Sequence, residues 1–240
     1  MKRFSFTAKE IDEHTSGAGV WHDFVRRREA EIAFSVLGES RFGLALELGA
    51  GDGTQSVTIA KWCDRLICTE LDEQSYAWKG KSILERQLPN VDYRLCDAQD
   101  LSPFEDQSFD LICSSNVLEH IPDVDRCLRE CRRVLKDGGV MWHSMPTRWW
   151  KIFNYSLARL YGGSRGVHGV SASHREEFRI FGRAAWRHRF QSNGFALQQI
   201  VGMPFYVGHG NKFIPLIKAG NLARLPATYL YIARKGAVIS

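Results

Sequence analysis

Three kinds of side chain in this sequence stand where they could do chemistry. The first is Glu47, which closes the apolar run LALEL; Gly49, Gly51 and Gly53 then follow at every second position. Glycine accepts positive φ and lets a ligand approach the backbone closely. If the turn leads into a helix, a ligand there also meets the partial positive charge of the helix N-terminus. The second kind is a pair of acids after the next two apolar runs, Glu70 in LICTELDEQ and Asp97 in CDAQD. A carboxylate accepts on both oxygens, so Glu70 suits the two hydroxyls of a ribose. The plainer role for an acid here is to start the next helix, which Asp72 fills better. Asp97 could accept from an exocyclic amine while the Ala98 N–H donates to the same ring edge, or the two could form an ordinary polar loop. The third kind is histidine: His120 in NVLEHI, and His168 and His174 at the ends of HGVSASH. Each can carry a proton near neutral pH. The bland alternatives are packing for His120 and a solvated loop for the other two. Glu119 could orient His120. His143, inside VMWHSMP, reads as a core histidine, and His14 and His22 belong to the N-terminal segment.

Two ligand classes use such a glycine turn. A dinucleotide site wants glycine at position 54, where this chain has Thr54. Glu47 argues against a pyrophosphate as well, because it repels phosphate and attracts a cation. A donor with an ammonium group and a sulfonium, S-adenosylmethionine, answers that electrostatic demand. A mere tight turn is the alternative.

These residues need a framework. Residues 20–37 have apolar positions near helical spacing, with Trp21, Phe24, Val25, Ile32 and Val36 on one side. Strands are expected at Phe42–Leu48, Arg65–Leu71, Val91–Cys96, Phe109–Ser115 and Val140–Ser144. The helices between them are Thr54–Trp62, Glu73–Leu88 and Val124–Lys136, the last stopped by Asp137-Gly138-Gly139. Apolar strands alternating with helices mean a parallel sheet covered on both faces, with ligands beyond the carboxyl ends of its strands. A further helix is expected over Phe181–Ser192, then strands at Ala196–Met203 and Ala227–Arg234, with a loop or short helix between them.

The segments ELGAGDG, TELD, CDAQDLSPFEDQSFDLICSSNVLEHI and CLRECRRVLKDGGV, in this order, resemble the class I S-adenosylmethionine-dependent methyltransferases. They are most similar to the type 11 methyltransferase domain group, which includes the ubiquinone and menaquinone methyltransferases. The resemblance spans about Leu44 to Ser144. It implies an α/β fold: a Rossmann-like, seven-stranded, mostly parallel sheet with helices on both faces and an antiparallel last strand. It implies S-adenosyl-L-methionine as cofactor, with Glu47 on the methionine amino group and Gly49, Ala50, Gly51 and Gly53 backing the ligand. It also implies Glu70 on the ribose, Leu71 against the adenine, Asp97 and Ala98 at the adenine edge, and Asn116 near the methionine part. His120, His168 and His174 are the candidate proton acceptors. The expected organisation is one domain over 1–240. It comprises an N-terminal helical cap (1–40), a cofactor-binding core (41–145), a basic and aromatic lid (146–192) and a C-terminal strand pair (193–240).

With 240 residues and 44% hydrophobic content, the chain can bury a substantial core. No apolar run reaches membrane-span length, and the N-terminus lacks the apolar core of a secretory signal, so the cytoplasm is expected. The six cysteines form no CxxC pair; free thiols are expected and no metal site, although Cys127 and Cys131 lie one helical turn apart. The net charge is +5, yet between Pro146 and Gln191 nine basic residues face only Glu176 and Glu177, a local +7 that leaves −2 for the rest. The stretch SMPTRWWKIFNYSLARLYGG interleaves that charge with aromatics. It reads as helices packed on the cleft, as a membrane-interface helix or as a nucleic-acid surface. After the fourth strand the chain has SSNV rather than an (N/D)PP(Y/F) motif, and no Pro-Cys pair, which argues against nucleic-acid bases. The expected acceptor is therefore a small or lipid-linked molecule, such as a glycan or cell-envelope precursor, with peripheral membrane contact through the basic segment. A nucleic-acid- or protein-directed methyltransferase, or a cofactor-binding scaffold without catalysis, are the alternatives.

Overall fold

The computed structural model describes residues 7–14, 18–38, 41–72, 88–161, 166–203 and 226–236. The strands are β1 (Phe42–Leu48), β2 (Cys63–Glu70), β3 (Val91–Leu95), β4 (Phe109–Ser115), β5 (Leu135–Pro146), β6 (Phe195–Gly202) and β7 (Thr228–Lys235). They form one sheet in the order β3-β2-β1-β4-β5-β7-β6. The pairs β1–β2, β1–β4, β2–β3 and β4–β5 are parallel, whereas β7 runs antiparallel to both neighbours. This is the expected Rossmann-like sheet with an antiparallel last strand. The chain order reverses between β1 and β4, so their carboxyl ends flank the crevice where open α/β sheets bind ligands.

Helices cover both faces. The described ones are α1 (Ala8–His14), α2 (Ala18–Leu37), α3 (Ser56–Ile59, continuing as a 3-10 turn to Trp62), α4 (Val124–Val134), α5 (Arg148–Tyr161), α6 (His174–Ile180) and α7 (Arg183–Ser192). The period-two alternation of β1 sends Ala45 into one core with Ala33, Phe34 and Ile59, and Leu46 and Leu48 into another with Leu128, Trp186 and Phe190. Glu47 shares the parity of Ala45, so its carboxylate is aimed into the layer roofed by α2 and α3.

Helix α4 ends earlier than expected. The sequence pattern carries it to Lys136 with glycine as the stop, but Leu135 is already extended and begins β5. The reason lies outside the helix. Its last carbonyls, on Arg133 and Val134, accept from the Gln107 and Ser108 N–H groups at the entry to β4. With those orphan acceptors satisfied, no glycine cap is required. Gly138 (φ +74) instead serves an irregularity in β5, where the register with β4 shifts between Phe109 and Leu111.

Residues 73–87, where a helix was expected, lie outside the described residues, as do 204–225 between β6 and β7. Arg165 and the side chains of Trp21, Leu157, Arg159, Leu160 and Tyr161 lie outside them too. All six cysteines are free, and all but Cys96 are buried. Burial raises the thiol pKa of Cys63 to about 12.

Candidate active site

The glycine turn is built from backbone hydrogen bonds. The Ala50 N–H donates to the Thr69 carbonyl at the end of β2, and the Gly53 N–H donates back to Ala50. Gly49, Gly51 and Gly53 all have positive φ. At Gly49 a Cβ would come within 2.6 Å of Val117 Cγ2, so the absence of a side chain lets the β4 exit pack on the turn. At Gly51 (φ +56) a Cβ would meet nothing within 4 Å, so this backbone faces open space.

Glu70 is bound to that turn. One carboxylate oxygen accepts from the Gly51 N–H (3.0 Å) and the other from the Leu71 N–H (3.1 Å). The acid and the turn are therefore positioned by each other. Leu71, the next residue, is 66% exposed, an apolar side chain held in the open at the strand end. Asp97 follows β3, whose Leu95 is paired with Glu70, so both acids reach the same end of the sheet. Its carboxylate accepts from the Gln99 N–H (2.8 Å) and side-chain amide. Ala98 packs half-buried against the second core.

Glu47 is only 3% exposed. It accepts from the Ser56 hydroxyl of α3 and from the Cys68 thiol (3.3 Å) of β2. Burial raises its carboxyl pKa to about 7, against the two hydrogen bonds, which favour the ionised form. The sequence marked Glu47 by its position before the glycines, but its partners Ser56 and Cys68 carried no signal of their own.

Past β4 the chain passes through Asn116 in a left-handed conformation (φ +53), its N–H donating to the Ser144 carbonyl of β5. It then makes a 3-10 turn over Leu118–His120. His120 keeps an exposed edge, yet partial burial, and secondarily His168, hold its pKa below the ordinary value; Glu119 pulls the other way. The His168 ring lies 4.5 Å from that of His120 and 5.0 Å from that of Trp150, centroid to centroid. His168 Nε2 is 3.7 Å from Glu119 Oε1. Glu119 is 5% exposed, and neither carboxylate oxygen has a hydrogen-bond donor among the described residues. Glu119, His120 and His168 present ligand atoms within 4.8 Å of one another, so these three could hold a cation where Cys127 and Cys131 are buried within the core. His174 belongs to another group, 3.5 Å from Glu177 and packed on the Tyr155 ring. His143 is fully buried, bonded through Nδ1 to the Ser114 hydroxyl (2.7 Å), and its pKa is lowered by burial to about 3.

The N-terminal helix joins the same end of the sheet. The buried Glu29 of α2 accepts from Thr228 (2.7 Å), Ser115 (3.2 Å) and Ser144 (3.3 Å) hydroxyls and from Arg26 (2.9 Å). Arg26 also donates to Ser115 (2.7 Å), and its carbonyl accepts from Gln55 beside the glycine turn. Sequence reasoning missed this network. Its one signal was an acid on the apolar side of an amphipathic helix.

The basic segment supplies α5, α6 and α7. A groove of about 330 Å³ is lined by Arg148, Trp149, Ile152, Phe178, Phe181 and Arg183 among others. Trp149, Ile152 and Phe178 are exposed, while Phe181 also packs near His168 (6.2 Å between ring centroids). The groove thus shares a wall with the histidine pair. No helix among the described residues is long and apolar enough to cross a membrane.

A family model described as a methyltransferase domain matches residues 46–143. The ubiquinone biosynthesis O-methyltransferase of Coxiella burnetii (strain RSA 331 / Henzerling II) is 28% identical over 163 residues, 67% of this chain and 67% of the relative. That of Pseudomonas fluorescens is 26% identical over 175 residues, 70% and 72% of the two chains. A solved SAM-dependent methyltransferase from Aquifex aeolicus superposes with a TM-score of 0.60 at 14% identity, covering 96% of this chain and 99% of that one, which is a likeness of fold.

Proposed function

We propose, from the match of residues 46–143 to a methyltransferase domain, that the chain carries a methyl group from S-adenosylmethionine to a hydroxyl of a small, apolar or lipid-linked acceptor. One observation carries the reading: the glycine turn, Glu70 and the exposed Leu71 stand at the carboxyl edge of β1 and β2, with the His120–His168 pair just beyond adjacent β4. The residues fit the cofactor. The backbone at Gly51 faces open space, Leu71 offers an uncovered apolar contact for a base, and Glu47 is an acceptor suited to an ammonium group.

S-Adenosylmethionine, when bound, supplies a methyl group already activated on a sulfonium. The chain supplies place and proton handling. Glu70, fixed by two backbone N–H groups, would accept from the ribose. Asp97 and Ala98 would take the base edge, and Asn116 would border the methionine end. His120, with its depressed pKa, is neutral at physiological pH and can accept the acceptor's hydroxyl proton. Glu119, which pulls the His120 pKa upward, stabilises the charge that then appears beside it, and His168 packs against the pair. His174, held in a separate group by Glu177 and Tyr155, has no part in this step.

The hydroxyl comes from the relatives' names, which describe O-methyltransferases acting in ubiquinone biosynthesis. The lipid-linked character comes from the basic and aromatic groove, which suits an anionic membrane face on the cytoplasmic side. Titration calorimetry tests the cofactor site. The donor and its demethylated product should both bind, and Glu70→Ala should weaken binding by about 1–3 kcal/mol; unchanged affinity removes Glu70 from the site. Transfer of labelled methyl into crude cell fractions tests the acceptor. Label should enter the organic-soluble pool. Label in RNA or protein would redirect the reading, and binding without transfer to any pool would mark a scaffold.

A further inference from the structure

The loop Gly166–Ser173 brings His168 to Glu119 and His120, and what holds that loop is an ion pair buried behind it. Lys151 of α5 is 7% exposed and Glu177 of α6 is fully buried. The Lys151 ammonium lies 2.6 Å from Glu177 Oε2 and donates to the Gly166 carbonyl at 3.1 Å. An ammonium is a compact charge with three donors, so one group can pair with a carboxylate and hold a loop carbonyl together. Farther along, the Val170 N–H donates to the Glu119 carbonyl (3.2 Å). Gly169 (φ +73) sits so close that a Cβ would come within 2.2 Å of that same oxygen. The loop is thus fixed on both sides of His168, once by Lys151 and once by Glu119.

A buried ion pair is weak as a source of stability, because desolvation offsets its attraction, but it can select one arrangement over others. We infer that Lys151, paired with Glu177, is a positioning residue whose task is to hold the Gly166–Ser173 loop so that His168 meets Glu119 and His120. The value of that placement to methyl transfer rests on the function proposed above; the placement itself does not.

The test therefore reads geometry rather than turnover. Removing Lys151 alone would strand a buried carboxylate and could unfold the region. The working variant is Lys151→Met with Glu177→Leu, which replaces the pair by apolar groups of similar size. Gly169→Ala attacks the other anchor. The reporter is the contact between the His120 and His168 rings, whose centroids lie 4.5 Å apart. It is followed by NMR as through-space cross-peaks between the two rings in folded protein, with circular dichroism confirming the fold. In both variants these cross-peaks should weaken several-fold or vanish, as they must in His168→Ala, which identifies them. Cross-peaks of unchanged intensity in the folded double variant overturn the inference. Loss of methyl transfer is a separate matter: if the ring contact is lost as expected while turnover is unchanged, the catalytic use of the histidines fails and the positioning stands.

Discussion

At the scale of single residues, Glu47 is the side chain most out of balance with its surroundings. Its folded pKa, about 7, lies above the ordinary 4.5, so between those values the native state binds more protons than the unfolded chain. Stability should therefore fall as pH rises from 4.5 to 7 and level off above, by on the order of 3 kcal/mol in total from this group. The difference between wild type and Glu47→Gln, measured by chemical denaturation across that range, isolates it: the slope should be shallower in the variant. A cationic donor reverses the preference, because it favours the ionised carboxylate, and its affinity should rise over the same interval in wild type only. Glu47 and Glu70 were legible in the sequence because a carboxylate beside a glycine turn is a local pattern. The meeting of His168 with Glu119 was not. The two are separated by two helices and a strand, and no spacing rule encodes a contact made by folding a loop back.

At the scale of elements, one carboxylate ties α2 to three strands of the sheet. Glu29 gathers hydroxyls from β4, β5 and β7, three strands that meet nowhere else on a single side chain among the contacts described. Replacing it with alanine should cost roughly 2–4 kcal/mol, since two buried hydroxyls, a half-buried one and part of a guanidinium lose their acceptor at once. Urea denaturation should show the drop, with Glu29→Gln retaining part of the stability because its amide oxygen still accepts. Six of the strands were readable within a residue or two, since buried parallel strands are written as apolar runs, whereas β5, expected from Val140, already begins at Leu135. The end of α4 was misread. Its stop is set by two N–H groups from the approach to β4, not by the glycines that follow, and a helix end capped from a distant segment leaves no mark in its own sequence.

At the scale of the molecule, charge is divided unevenly. The segment between Pro146 and Gln191 carries +7 against −2 elsewhere, and it exposes Trp149, Ile152, Tyr155 and Phe178 beside its arginines. Such a surface should adhere to anionic vesicles and release as salt screens it. Flotation with phosphatidylglycerol vesicles at low ionic strength should carry the protein upward. Trp149→Ala with Phe178→Ala should reduce that fraction several-fold, and neutral vesicles should leave the protein behind. No flotation at low salt would remove the membrane from the proposal. Composition revealed the charge segregation, but not that the aromatics divide between an exposed face and the wall beside His168.

The order of the strands has a further consequence. β7 lies between β5 and β6, although it follows both in the chain, and it is the partner that joins β6 to the rest. During synthesis, five parallel strands and a detached sixth must therefore wait on the ribosome with unsatisfied edges until Thr228–Lys235 has cleared the exit tunnel. Closure is a late, long-range step of the kind that folds slowly and invites chaperones. The nascent chain, rather than the finished protein, is where this architecture is most vulnerable.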